Sequence, residues 1–198
     1  MKRIFVAFDI EHTGETLLAI GMCVGNEKGH VLQKKRINVR VKWPDSESLG
    51  DFDNRCWNEF WSKQPQSLIT TLQTGAVSLK DAMDALVSWL NELEILYPSR
   101  DYKIKFLSDN PSFDIGNLDW YLKTQCGRRA LRYSSDGTYR AVENPDDMLD
   151  MFPKEQVQRK LDAIRALVVH DHDPSNDAEF IYRQYLAALD LRLTAFNF

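Results

Sequence analysis

The first fourteen residues constrain the fold more than any other stretch. Met1-Lys-Arg-Ile-Phe-Val-Ala-Phe-Asp-Ile-Glu-His-Thr-Gly14 reads as a buried strand that ends in two carboxylates and a turn. Ile4, Val6 and Phe8 alternate with Phe5 and Ala7, so both faces are apolar, as in a central strand covered on each side. Asp9 and Glu11 are two residues apart, which puts both carboxylates on one face of an extended backbone. Two acids side by side at the end of an apolar strand are costly unless positive charge lies between them. A divalent metal ion is the usual source of that charge.

A chain of 198 residues can bury one sizeable core, which predicts a single domain over residues 1–198. The net charge of −4 argues against whole-surface attraction to nucleic acid, so any such binding needs a local patch. A cleft rich in metal-binding acids itself contributes to that negative balance. Cys23, Cys56 and Cys126 are far apart and lack metal-site spacing, which suits reduced thiols inside a cell. Only five apolar residues follow Lys2 and Arg3 before Asp9, too few for a signal-peptide core. With no apolar run of about eighteen residues, the expectation is a cytoplasmic protein with no membrane partner.

A second apolar run, Leu17 to Val24, leads through a Gly25–Gly29 loop into a third strand expected from Val31 to Trp43. There Ile37, Val39 and Val41 alternate with Arg36, Arg40 and Lys42, which predicts one packed face and one basic, solvated face. Trp57, Phe60 and Trp61 form one helical stripe ended by Pro65, read as core packing rather than base stacking. Ser78-Leu-Lys-Asp81 caps a helix running to about Leu96. A strand from Tyr102 to Leu107 is followed by a helix entered at Asp114 and stopped by Gly127. The Lys123, Arg128, Arg129 and Arg132 cluster reads as surface charge, followed by a turn at Asp136-Gly137 and a short helix opened by Asn144-Pro145-Asp146. Further helices are expected over 154–169 and from Pro174 to about Leu193, the last capped by Asp173. Hairpin-linked strands followed by strand–helix alternation predict an α/β fold, a mixed central sheet of about five strands flanked by helices.

Asp114 at a strand-to-helix passage is, alone, an ordinary cap, and Asp177 in a first helical turn is an ordinary complement to the helix dipole. His172 precedes the cap of that last helix, close enough for its imidazole and the Asp177 carboxylate to converge. His170, in His170-Asp-His-Asp173, reads as a neighbouring loop residue, because two histidines without further ligands make a weak metal site.

Taken together and in order, these residues resemble the DEDDh family of 3′–5′ exonucleases, which has a ribonuclease H-like fold. Phe8-Asp-Ile-Glu-His-Thr-Gly14 is similar to the first family motif, and Asn110-Pro-Ser-Phe-Asp114 with Leu118 to the second. His172-Asp-Pro-Ser-Asn-Asp177 is similar to the third, with histidine five residues before the last aspartate. The sister branch carries tyrosine four residues before it, where this chain has Asp173. The resemblance runs from about residue 4 to 190, and extends to stand-alone bacterial and phage enzymes.

The resemblance implies hydrolysis of DNA or RNA from single-stranded 3′ ends, releasing nucleoside 5′-monophosphates. It implies two Mg²⁺ or Mn²⁺ ions about 4 Å apart, which suit an oxygen-rich site. Asp9 would bridge both ions, Glu11 and Asp177 would complete one site and Asp114 the other. His172 would be the general base. His12, Thr13 and Gly14 would line the terminal-nucleotide pocket, Leu17 or Leu18 would pack on a base, and Asn110 and Phe113 would also meet substrate. His12 departs from the family pattern, which more often has threonine or a small residue there. Such an enzyme would act alone, as a homo-oligomer or in a complex. The competing reading is a catalytically silent module that binds nucleic acid or a partner protein; such modules usually lose an acid or the histidine, and all five are present here.

Overall fold

The computed structural model describes residues 1–127, 131, 133 and 140–196. Arg128, Arg129, Arg132 and the Asp136-Gly137 turn lie outside the described residues. Strands β1 (Lys2–His12), β2 (Leu17–Asn26), β3 (Val31–Asn38), β4 (Tyr102–Leu107) and β5 (Val142–Glu143) form one sheet in the order β3-β2-β1-β4-β5. β1–β2 and β2–β3 are antiparallel, while β1–β4 and β4–β5 are parallel. This is the mixed sheet expected, in a ribonuclease H-like arrangement.

β1 is central because both its faces are apolar. Ile4, Val6, Phe8 and Ile10 pack with Met83, Leu86, Trp89 and Leu90 of α3 (Leu79–Leu96) and Ile115, Leu118 and Leu122 of α4 (Asp114–Cys126). Phe5 and Ala7, on the opposite face, pack with Ala178, Ile181, Tyr182 and Tyr185 of the last helix, Pro174–Phe196. Helices thus cover both sides of the strand that carries Asp9 and Glu11, and the site forms where that strand emerges between them.

The connection after β3 holds two short helices, α1 (Asn54–Glu59) and α2 (Gln66–Gln73), around fully buried Trp61. Two more, α5 (Pro145–Leu149) and α6 (Lys154–Arg165), precede the last helix, α7. Gly21 on β2 lies directly across from Asp9 in the β1–β2 register. A Cβ at Gly21 would fall 1.8 Å from the Pro174 carbonyl oxygen, so the start of α7 rests against bare strand backbone. No helix among the described residues is long and apolar enough to cross a membrane.

Four local expectations differ from the structure. The third strand ends at Asn38, not Trp43, because the edge partner changes. Arg40 N–H donates to the Val77 carbonyl and the Asn38 side-chain amide to the Thr71 and Thr74 carbonyls, the latter two at 2.8 Å. The basic face of β3 is not simply solvated: Lys34 pairs with Glu179 at 3.0 Å and Arg36 pairs with Asp173, tethering it to α7. The aromatic stripe is not one helix either. α1 ends before Phe60, whose φ of −128° is not helical, and Trp61 starts a 3-10 turn from which its Nε1 donates to the His12 carbonyl at 3.0 Å. The helix expected over 154–169 stops at Arg165.

Candidate active site

β1 delivers Asp9 and Glu11 to the top of the sheet, and its register shifts between Glu11 and His12 as the strand ends. Buried Thr13 closes the following turn, its N–H donating to the Thr16 carbonyl at 2.8 Å. Gly14 adopts a φ of +98°, and a Cβ there would overlap the Asp53 carboxylate. Asp53 itself caps α1 by accepting from Cys56 N–H at 2.7 Å, so this turn fixes α1 beside the site.

The loop after β4 brings the next acids. Ser108 Oγ donates to Asp114 Oδ2 at 2.5 Å, and Asp114 N–H donates to the Asn110 carbonyl at 2.9 Å. Asp114 is buried at the start of α4, while Phe113 just before it is 42% exposed. The loop into α7 brings the last donors. Asp173 caps α7 by accepting from Ser175 N–H at 3.0 Å, which leaves Asp177 one turn inside. Buried Asp177 accepts from Asp171 N–H at 3.2 Å, and His170 Nε2 lies 3.5 Å from its other oxygen.

His172 has a φ of +61°, the one positive value at a non-glycine residue among the described residues. That backbone is disfavoured for a residue with a Cβ and is held only where surroundings enforce it. It aims the imidazole back over β1, with Nδ1 3.7 Å from Glu11 Oε1 and the ring edge-on to Phe60 at 4.7 Å between centroids. Ligand atoms of Glu11, His172 and Asp177 all lie within 4.8 Å of one another and can hold a divalent cation.

The electrostatics ask for that cation. Burial, then the charges of Glu11, Asp177, Asp114 and Asp109, push the Asp9 carboxyl well above its usual range. Burial likewise pushes Asp114 and Asp177 up to about 7 each. Glu11 is raised by burial against the opposing pull of His172, and His172 is raised by Glu11. Asp9 Oδ2 is buried with no hydrogen-bond partner among the described residues. An orphaned carboxylate oxygen among acids is costly, and a cation satisfies it. The donors present therefore fit a divalent ion.

The remaining residues singled out in the sequence are also placed. His12 shares a 3.0 Å hydrogen bond with the Tyr121 hydroxyl and stands edge-on to Phe113 at 5.9 Å. Asn110 accepts from Phe113 N–H through its side chain at 3.4 Å. Leu17 and Leu18 are fully buried, Leu17 in the α3–α4 core and Leu18 beside Phe52 and Trp61. Three residues near the site carried no motif of their own. Asp109 adds a fifth acid whose charge bears on Asp9 and Asp114, and its one signal was its place in the segment leading to Asp114. Ser108 holds the Asp114 carboxylate, and Phe60, read as core, lies against His172.

No family model and no curated protein matches the sequence. Among solved structures, a product-bound exonuclease I superposes with a TM-score of 0.55 at 11% identity, over 98% of this chain and 44% of that one. A family B DNA polymerase from the hyperthermophilic archaeon Pyrobaculum calidifontis superposes with a TM-score of 0.44 at 14% identity, over 96% of this chain and 24% of that one. The chain thus spans less than half the length of either. At this identity the likeness to exonuclease I is one of fold, and the chain has the ribonuclease H-like fold.

Proposed function

We propose that this chain is a metal-dependent 3′–5′ exonuclease of the DEDDh type, with residues 1–198 forming one catalytic domain. The observation that carries the reading is the orphaned Asp9 oxygen, buried amid acids from β1, α4 and α7 beside a histidine held in a strained backbone. Asp9, Glu11 and Asp177 would hold one Mg²⁺ or Mn²⁺ ion, and Asp9 with Asp114 a second. Bound there, such ions offset phosphodiester charge and stabilise the attacking and leaving oxygens. His172, partly open to solvent, takes the proton from the attacking water. Ser108 and Asp171 N–H fix the Asp114 and Asp177 carboxylates, which spares the site reorganisation during reaction. His12, Gly14, Asn110 and Phe113 would line the space for the terminal nucleotide, with Thr13 buried beneath them.

The test is a gel time course with Mn²⁺ on 5′-labelled single-stranded DNA and RNA, with Asp9→Ala as control. A ladder shortening from the 3′ end, absent in the variant, is the expected result and also gives the sugar preference. Binding without shortening would instead fit a catalytically silent nucleic-acid-binding module.

A further inference from the structure

We infer that the exposed face of α4 is a base-stacking track that carries the strand upstream of the reacting 3′ end, an inference that rests on the nucleic-acid reading above. The track begins at Phe113, 42% exposed, directly before the Asp114 carboxylate. Two helical turns further along lies Trp120, 57% exposed. Seven residues apart, the two rings share one helix face, about 10.5 Å apart along the axis. Base pairs stack about 3.4 Å apart, so this interval has the scale of a short run of stacked bases.

A continuous row of aromatic groups links this face to the end of β1. Phe113 stands 5.9 Å from His12, His12 is hydrogen-bonded to the Tyr121 hydroxyl, and Tyr121 stands 4.9 Å from Trp120. Only Phe113 and Trp120 of this row are exposed large hydrophobic side chains, while Tyr121 is buried behind them. The outer rings therefore rest on a fixed inner layer, which lowers the entropy lost on stacking.

Between the two outer rings lies Gly116, three residues after Phe113 and four before Trp120, on the same face. A Cβ there would meet nothing within 4 Å among the described residues, and its φ is not positive. Among the described residues neither packing nor backbone geometry requires glycine, and alanine is the better helix former. What a glycine does provide is an unobstructed floor between two exposed rings. A flat ligand that slides between rings needs that floor. Nucleobases fit it because every base offers a face for stacking, whatever the sequence.

The test measures anisotropy of 5′-labelled, phosphorothioate-linked DNA and RNA of two and ten nucleotides. Trp120→Ala and Gly116→Leu should each weaken the ten-nucleotide complex about 5- to 100-fold, with a much smaller effect on the dinucleotide. Trp120→Phe should restore most of the affinity, and Leu193→Ala, an exposed apolar change on α7, should leave it unchanged. A Cβ at position 116 meets nothing within 4 Å among the described residues and leucine is the better helix former, so the thermal midpoint of Gly116→Leu should stay near that of the parent and report a folded protein. Equal affinity of all variants for the ten-nucleotide strand, with the parent still cleaving, would overturn the track and leave the exonuclease reading standing. Trp120-dependent binding without any cleavage would support the track and overturn the exonuclease. No binding by the parent would overturn both. A parent dimer lost in Trp120→Ala, at unchanged oligonucleotide affinity, would assign this face to a second copy and overturn the track.

Discussion

Arg36 on β3 forms an ion pair with Asp173, the residue that caps α7 and immediately follows His172. An edge strand thereby holds the loop in which the histidine adopts its left-handed backbone. Asp173→Ala removes both the cap and the ion pair, and should cost about 1 kcal/mol or more of stability together with a drop in turnover. Asp173→Asn keeps a capping oxygen and loses only the charge, so it should retain most of the stability. Denaturant titration and single-turnover rates of both variants check this; equal loss in the two would place the effect in the ion pair alone.

The charges gathered around Asp9 oppose one another when no cation is bound. Asp9→Asn removes one of them and should raise the thermal midpoint of the metal-free protein. The same variant should lose most of the rise that Mn²⁺ gives the parent. Scanning calorimetry in chelator and in Mn²⁺ reads both effects, and a lower metal-free midpoint would contradict the repulsion.

The pH dependence has a definite sign. Asp114 and Asp177 are each pushed up to about 7 in the folded protein, whereas unfolded aspartates titrate near 4, as about 3.9 in model peptides. Between those values the folded chain holds protons that the unfolded chain has released, so stability falls as pH rises. Thermal midpoints in chelator should decrease as the pH rises from 5 through 7, and Asp9, also raised by burial, extends the fall in the same direction. Added Mn²⁺ should reverse the trend, because it binds the ionised carboxylates.

His172→Ala should lower the rate by about 10²-fold or more through loss of the base. Binding of Mn²⁺, followed by calorimetry, should be largely retained because the carboxylates remain. Full activity in this variant would remove His172 from the proposed chemistry.

How far the sequence could be read depended on what each residue's partner was. β1 was legible because apolar residues on both faces have one sensible environment, and Asp9 and Glu11 at its end have one sensible company. The sheet as a whole followed from the same patterning. The end of β3 was not legible, since it is set by Asn38 bonding to carbonyls more than thirty positions away. β5 has two residues, too few for any period to show. Phe60 looked like core because a large ring on a helical stripe usually is, and nothing local to it announces His172. Of the site, the spacing His172-x-x-x-x-Asp177 was visible, but the left-handed turn that aims the imidazole at Glu11 was not.

Gly21 works for the site from behind, as the missing shim in a vise. It stands opposite Asp9 on the neighbouring strand, and its lack of a side chain lets the Pro174 end of α7 close against the sheet. How closely the jaw that carries Asp177 approaches the sheet is therefore set by a residue with no side chain. A single methyl group added at that point would meet the Pro174 carbonyl and push the jaws apart without altering any acid.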